Sequence, residues 1–192
     1  MTALITPNPD GYLSIPDRAA RYMIEHKIIN EMDGWQVLED IAMPDGALSG
    51  VNAERAASIF LAAADGIAVL DEDVLTISAD ELSIRFAPVK GWERLTPSYR
   101  LAARYTVEGT HIGRGTWTTK GIKKPEASRS EARHLTNSVL EGIGDVSVHP
   151  SGVLIVEGGA VDLALRLTPI TEPSRPQEQW TPARLPRTCA GS

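Results

Sequence analysis

Apolar residues in the first third of the chain recur mostly every three or four positions, which is the spacing of an α-helix. This pattern predicts three helices, over residues 14–30, 33–43 and 52–66, each beginning with a polar residue that can cap a helix. Pro44-Asp45-Gly46 ends the second of them. We therefore expect an N-terminal three-helix segment.

After residue 66 the apolar residues alternate with polar ones, as they do in a half-buried strand. Residues 67–70 and 74–78 are predicted to form a hairpin across Asp71-Glu72-Asp73, and residues 82–88 to form a third strand. Three helices followed by a hairpin is an order similar to that of winged helix-turn-helix proteins. Three carboxylates at the hairpin tip would repel phosphates, however, so we expect no DNA recognition by this half.

A second run of elements follows a basic, proline-containing linker at residues 121–128. Ser128 and Glu131 form a capping box, which opens a helix that extends to residue 143. Three strands, over residues 145–149, 153–157 and 160–168, then form an antiparallel meander.

Together these patterns predict an α+β fold with mainly antiparallel sheets. An N-terminal three-helix segment comes first, and one further helix precedes a C-terminal three-stranded meander. No internal repeat with a regular spacing is evident in the sequence.

Residues 99–120 lie between these two regions and combine alternation, basic charge and aromatic residues. The pattern predicts two strands joined by a turn at Gly109-Thr110-His111. A three-residue turn places Arg114 on the basic face of this hairpin, and a two-residue turn places it on the aromatic face. Both registers fit the sequence.

The 192 residues are long enough to bury a core, and we divide them into an acidic helical subdomain with a hairpin (1–88), a basic subdomain with the later helix and meander (89–171) and a disordered tail (172–192). The two subdomains are expected to form one domain. One cysteine, Cys189, permits no internal disulfide, and neither a signal peptide nor a long apolar run is evident. These features predict a cytoplasmic protein without a membrane partner.

The net charge of −6 conceals a strong segregation along the chain. Residues 1–89 carry a net charge of −10, residues 90–134 carry +6, and the remainder carries −2. Two interpretations are open: the acidic and basic segments attract one another within the fold, or one of them faces an external partner of opposite charge.

Catalytic and metal-binding motifs are absent from the sequence. His111, in the predicted turn of the basic hairpin, and His149, before Pro150, are the histidines that an enzyme would use in a pocket between the sheet and the helix at 128–143. Turn polarity explains both histidines equally well. We predict no catalytic residue, no cofactor and no metal site.

The candidate binding residues are cations beside aromatic residues, a combination that suits an acidic protein surface or single-stranded nucleic acid. They are Arg94, Arg100, Arg104, Arg114, Trp117, Lys120, Lys123 and Lys124. Regular alternation favours burial of Tyr99, Tyr105 and Trp117 in the core over their exposure.

The leading functional hypothesis is therefore a non-catalytic, intracellular binding or regulatory protein. It would act through contact with a partner protein or with a second copy of itself, as an accessory or inhibitory factor. The alternatives are nucleic-acid binding through the hairpin at 99–120 and an enzyme that uses His111 or His149.

Overall fold

The computed structural model of the chain describes residues 2–29, 33–38, 43–111, 113, 115–142, 144–158 and 163–171. These residues form two antiparallel sheets, each with one helix packed against it. The predicted tail at 172–192 and the side chain of Arg114 lie outside the described residues.

The first sheet has the strand order β1-β5-β6-β7-β2, and β3 and β4 both pair with the outer edge of β2. Its strands are β1 (Thr2–Ile5), β2 (Arg21–Ile28), β3 (Gln36–Val37), β4 (Ala47–Ser49), β5 (Ile67–Asp71), β6 (Val74–Ser78) and β7 (Leu82–Pro88). Helix α1 (Gly50–Ala64) follows β4 directly, with Ser49 as its N-cap.

The second sheet has the strand order β8-β11-β12-β13-β9-β10. Its strands are β8 (Glu93–Arg94), β9 (Arg104–His111), β10 (Glu126–Ser128), β11 (Asp145–Val148), β12 (Leu154–Glu157) and β13 (Leu163–Pro169). Helix α2 (Arg129–Leu140) follows β10 directly, and its capping box of Ser128 and Glu131 is formed as the sequence predicts.

The predicted three-helix segment is wrong, because only the third of its helices, α1, is present among the described residues. Strand β2 lies in the second half of the first predicted helix, and β3 lies within the second predicted helix. Residues 21–28 fit both periodicities, since Tyr22 and Ile24 are two positions apart as in a strand, whereas Ala20, Ile24 and Ile28 are four positions apart as on one face of a helix. The strand is favoured because β2 pairs with β7 from Tyr22 to Ile28 and buries the side chains of Tyr22 and Ile24.

The basic hairpin is formed only in part. Strand β9 is present, but beyond it the described residues make a single bridge between Gly109 and Thr118 in place of a second strand. Gly113 and Gly115 both have φ of +74°, a left-handed conformation that a strand does not contain. Where it is described, the return segment therefore pairs with β9 through this single bridge.

The two sheets have the same topology, so the chain contains a structural repeat that the sequence pattern did not reveal. In each repeat a short strand precedes a long one, a second short strand leads into a helix, and a three-stranded meander returns to pair with the long strand. We call residues 2–89 repeat 1 and residues 93–171 repeat 2. The predicted division at residue 88 into an acidic and a basic subdomain stays a prediction.

The repeats agree residue by residue at the start of their long strands. The sequence Ala-Ala-Arg-Tyr occurs in both, at 19–22 and at 102–105. In each copy the tyrosine oxygen accepts a hydrogen bond from the backbone N–H three residues earlier, at 2.9 Å for Tyr22 and 2.8 Å for Tyr105. Burial raises the pKa of both phenols.

A second shared feature lies across the long strand and the last strand of the meander. An arginine forms an ion pair with the glutamate directly opposite it, and a tryptophan ring lies 4.5 or 5.0 Å from the guanidinium carbon. These residues are Glu25, Arg85 and Trp35 in repeat 1 and Glu108, Arg166 and Trp117 in repeat 2. The matching pairs fix which residues of the two repeats are equivalent.

Candidate functional site

The predicted binding cations that the structure describes are distributed over several elements, between the two edges of the second sheet. Arg94 lies in β8, Arg100 precedes β9, and the three lysines lie in the segment that leads to β10; all five side chains are exposed. The exposed Arg104 pairs with Glu126, and Lys124 pairs with Glu131, so two of the predicted cations already have acidic partners.

The aromatic residues of this segment are packed within the protein. Tyr105 is fully buried in the core of repeat 2, and Tyr99 packs against the same core. One face of Trp117 is covered by the guanidinium group of Arg166. The structure therefore places these rings where they stabilise the fold.

The two candidate histidines lie apart from each other. His111 ends β9 opposite Leu163 and is exposed. The ring of His149 packs in a tilted orientation against Trp92, with the ring centres 5.1 Å apart. Its Nδ1 lies 2.8 Å from the Ser151 hydroxyl oxygen, an interaction within one tight turn.

A groove of about 630 Å³ lies between α2 and the second sheet. Its floor and walls are aliphatic, and polar residues surround its mouth. The aliphatic lining consists of Val107, Ile122, Ala127, Leu135 and Leu165, and the rim consists of Lys124, Glu126, Ser130, Glu131, His134 and Ser138. We call it the α2 groove. Neither His111 nor His149 lines it.

Strand register explains why the floor of the α2 groove is aliphatic. Val107 pairs with Leu167 as Ile24 pairs with Phe86, and Leu165 stands opposite Gly109 as Ile84 stands opposite His26. The equivalents of Val107 and Leu165 in repeat 1 are therefore Ile24 and Ile84, which are almost completely buried. The groove floor thus occupies a core position.

Two replacements open this core position in repeat 2. Tyr22 pairs with Leu48 in β4, whereas Tyr105 pairs with Ala127 in β10, so a buried leucine is replaced by alanine. The pair His26–Gln36 of repeat 1 matches the bridge Gly109–Thr118 of repeat 2. Two residues after Gln36, Leu38 packs on the core of repeat 1, whereas two residues after Thr118, Lys120 is exposed.

The connecting loop is also shorter in repeat 2. Met43 and Ile122 are equivalent, since each lies six residues before the capping serine of its helix. Four residues separate Leu38 from Met43, but one residue separates Lys120 from Ile122. Leu135 fills part of the space, because it replaces Ala56 of α1, and the rest remains open as the groove.

Hydrogen bonds and an ion pair hold the charged side chains at the rim of the groove in place. Glu131 accepts a hydrogen bond from the Ser128 backbone N–H at 2.8 Å and pairs with Lys124. The bond from Lys124, followed by those from Ser128, lowers the pKa of the Glu131 carboxyl to about 2. The Glu131 carboxylate is therefore ionised at neutral pH, so the mouth of the groove is polar.

A second cluster of charge joins the two repeats. Arg21 and Glu157 are both fully buried and lie 2.7 Å apart. Glu157 also accepts hydrogen bonds from the Ser49 backbone N–H at 2.9 Å and from the Asn52 amide at 2.8 Å, at the N-terminus of α1. This cluster fixes one repeat on the other through fully buried groups.

Sequence reasoning predicted a pocket between the sheet and the helix at 128–143, where the α2 groove lies, but assigned it His111 or His149 and missed its aliphatic lining, because those residues look like ordinary core positions. The available signals of the repeat were the repeated Ala-Ala-Arg-Tyr and the similar segments Ile84-Arg85-Phe86-Ala87-Pro88 and Leu165-Arg166-Leu167-Thr168-Pro169. The replacement of two leucines of repeat 1 by alanine and lysine in repeat 2 becomes evident only from the strand pairing.

Comparison with models of known protein families, with curated proteins and with solved structures gives no match to this chain. The two described helices have 15 and 12 residues, and neither has the length and apolar character required to cross a membrane.

Proposed function

We propose that this chain is a non-catalytic, cytoplasmic binding protein that acts through contact with another protein, and that the α2 groove is its contact site. The observation that carries the proposal is that the groove is a core position left open to solvent, with an aliphatic floor and a polar rim. An apolar centre within a polar border is the usual composition of a protein interface.

The placement of the aromatic residues favours a protein partner over nucleic acid. Stacking on single-stranded nucleic acid requires exposed rings, whereas Tyr105 is fully buried and Trp117 is covered on one face by Arg166. The cations alone would give binding by charge without stacking. Nucleic-acid binding is therefore the alternative that the same experiment must test.

Ion pairing supports an external role for the segregated charge. Among the ion pairs of the described residues, one joins the two repeats, and it links an arginine of acidic repeat 1 to a glutamate of repeat 2. This pair joins a cation of repeat 1 to an anion of repeat 2, so it does not pair the acidic surface of repeat 1 with the basic segment of repeat 2.

The test is purification of the tagged full chain from its native host at low and high salt, with light scattering and absorbance at 260 and 280 nm. Three versions are compared: the natural chain, Ala127→Leu, which fills the groove with the side chain that repeat 1 has, and Ile59→Ser. Ile59 is exposed on α1 at the position equivalent to Ser138, so its replacement is a control for loss of an exposed apolar residue outside the groove.

We expect a protein partner to be retained by the natural chain and by Ile59→Ser and to be lost from Ala127→Leu. A monomer without any partner at either salt concentration would contradict the proposal, as would equal retention by Ala127→Leu. Excess absorbance at 260 nm that high salt removes would support the nucleic-acid alternative instead.

A further inference from the structure

We infer that the α2 groove accepts aliphatic side chains from an extended segment of the partner protein, and that acidic residues follow those side chains. This inference rests on the proposed function and specifies the chemistry of the partner.

The aliphatic part of the inference follows from the side chains that fill the same place in repeat 1. There Leu48 is 3% exposed, and Leu38 packs on the core formed by Ile24 and its neighbours. Repeat 2 keeps an aliphatic floor of Val107 and Leu165 but has no leucine at either filling position. An incoming leucine or isoleucine would restore the packing and remove its own apolar surface from water.

The extended conformation also follows from repeat 1. Leu38 comes directly after strand β3, and its backbone N–H donates to the Ile24 carbonyl oxygen at 2.8 Å. The filling side chain is thus presented by a segment in strand conformation. A partner segment of the same kind would place alternate side chains towards the groove and towards solvent.

The acidic part of the inference follows from the lysines beside the groove. Lys120 stands where repeat 1 has Leu38, and Lys123 lies next to Ile122 in the groove wall. Both are exposed, and within the described residues neither has an ion-pair partner, in contrast to Lys124. Acidic residues next to the aliphatic ones in the partner segment would bring opposite charge to these lysines.

The probe is a fluorescein-labelled synthetic peptide with the sequence of residues 35–43, Trp-Gln-Val-Leu-Glu-Asp-Ile-Ala-Met. It is titrated with the full-length protein at low salt, and fluorescence anisotropy is measured. We expect saturable binding by the natural chain. A peptide with serine in place of its leucine and isoleucine should bind about 10-fold or more weakly, since each buried methylene group contributes about 0.8 kcal/mol.

Protein variants separate the two parts of the inference. Ala127→Leu should abolish binding, and Ile59→Ser should leave it unchanged. The double variant Lys120→Glu/Lys123→Glu should bind the natural peptide more weakly, and it should regain affinity for a peptide that carries two lysines in place of its two acids. Since Lys120 and Lys123 are exposed, this charge exchange does not depend on whether a core substitution is tolerated.

Four results would overturn the inference. The first is no saturable peptide binding by the natural chain, and the second is equal binding by Ala127→Leu. The third is that reversing the charge of the peptide leaves its affinity for the double lysine variant unchanged. The fourth is that the fatty acid decanoate, added in a separate titration, binds in the groove while the peptide does not. A dimer of the natural chain that Ala127→Leu converts to a monomer would likewise overturn it, because a second copy would then fill the groove.

The proposed function and this inference can fail separately. A partner that is lost from Ala127→Leu in the purification, together with no peptide binding, would retain the function and reject the partner chemistry. Peptide binding with no partner in the purification would support the groove chemistry and contradict the proposed function.

Discussion

Glu131 is the single residue with the most connections at the mouth of the groove. It closes the capping box of α2 with Ser128, forms an ion pair with Lys124 and lines the rim. The ion pair requires the ionised carboxylate, and ionisation strengthens the hydrogen bonds that this group accepts from Ser128. Because they favour the charged form in the folded protein, the pKa of Glu131 is lowered to about 2 from its ordinary 4.5.

The lowered pKa predicts a dependence of stability on pH. A carboxyl whose pKa is depressed on folding contributes stability above its unfolded pKa, and this contribution is lost as the pH falls through the folded value. We expect Glu131→Gln to be less stable than the natural chain at pH 7, with the difference shrinking between about pH 4.5 and pH 2. Urea unfolding across this pH range measures it.

Glu126→Gln is the matched control, because Glu126 is also an exposed carboxylate in an ion pair at the groove rim, yet it belongs to no helix cap. Its difference from the natural chain should be smaller at pH 7. A stability difference for Glu131→Gln that stays constant down to pH 2 would show that the carboxylate charge contributes nothing.

A local pattern predicts a helix or a strand well when its apolar residues fit one periodicity and when capping or turn residues mark its ends. Both α1 and α2 follow a capping serine, the hairpin of β5 and β6 turns at Asp71-Glu72-Asp73, and the meander of repeat 2 has turn residues at its ends. Strand β2 could not be predicted in this way. Its apolar residues fit a helix and a strand equally, and pairing with β7, more than 50 residues away, favours the strand.

The repeat is hidden by its uneven spacing. Ala-Ala-Arg-Tyr recurs after 83 residues, the capping serine after 79, and the segment that begins at Ile84 recurs at Leu165, after 81. Insertions in the loops therefore shift each shared feature by a different amount. The aliphatic lining of the groove could not be predicted for the same reason, since it becomes visible only when equivalent residues are compared through strand pairing.

A reciprocal substitution tests the equivalence of β4 and β10. Leu48→Ala removes a buried leucine, so it should lower the free energy of unfolding by about 2–5 kcal/mol. Ala127→Leu fills open space in the groove, so it should raise this free energy by about 0.5–2 kcal/mol. Urea denaturation of both variants measures the two changes.

Loss of stability in Ala127→Leu comparable to that in Leu48→Ala would contradict the equivalence, because it would mean that residue 127 has no space beside it. Ala103→Leu serves as a control. Ala103 is exposed just before β9 and does not line the groove, so a leucine there should change the stability little.

On the scale of the whole molecule, equivalent arginines have different roles because of what the other repeat provides. Arg21 meets Glu157 of repeat 2 and is fully buried, whereas its equivalent Arg104 meets Glu126 of its own repeat at the surface. The ring of Trp92, between the two repeats in sequence, lies 5.2 Å from the Arg21 guanidinium carbon. The junction between the repeats therefore uses Arg21, whose equivalent in repeat 2 makes a different contact.

Removal of one partner from the junction should be costly. Arg21→Ala leaves Glu157 buried without its cation, which we expect to destabilise the protein by about 3–5 kcal/mol. Arg104→Ala removes a half-exposed pair and should cost about 1 kcal/mol or less. Equal effects of the two substitutions in urea unfolding would mean that the buried pair does not hold the repeats together.

The central claim is that repeat 2 keeps open a core position that repeat 1 fills. The most direct measurement is methyl NMR of the full chain during titration with the 35–43 peptide. We predict shifts at the methyl groups of Val107, Leu135 and Leu165 and unchanged signals at Ile24 and Ile84, the repeat 1 equivalents of Val107 and Leu165. Equal shifts in both repeats, or shifts in neither, would contradict the claim.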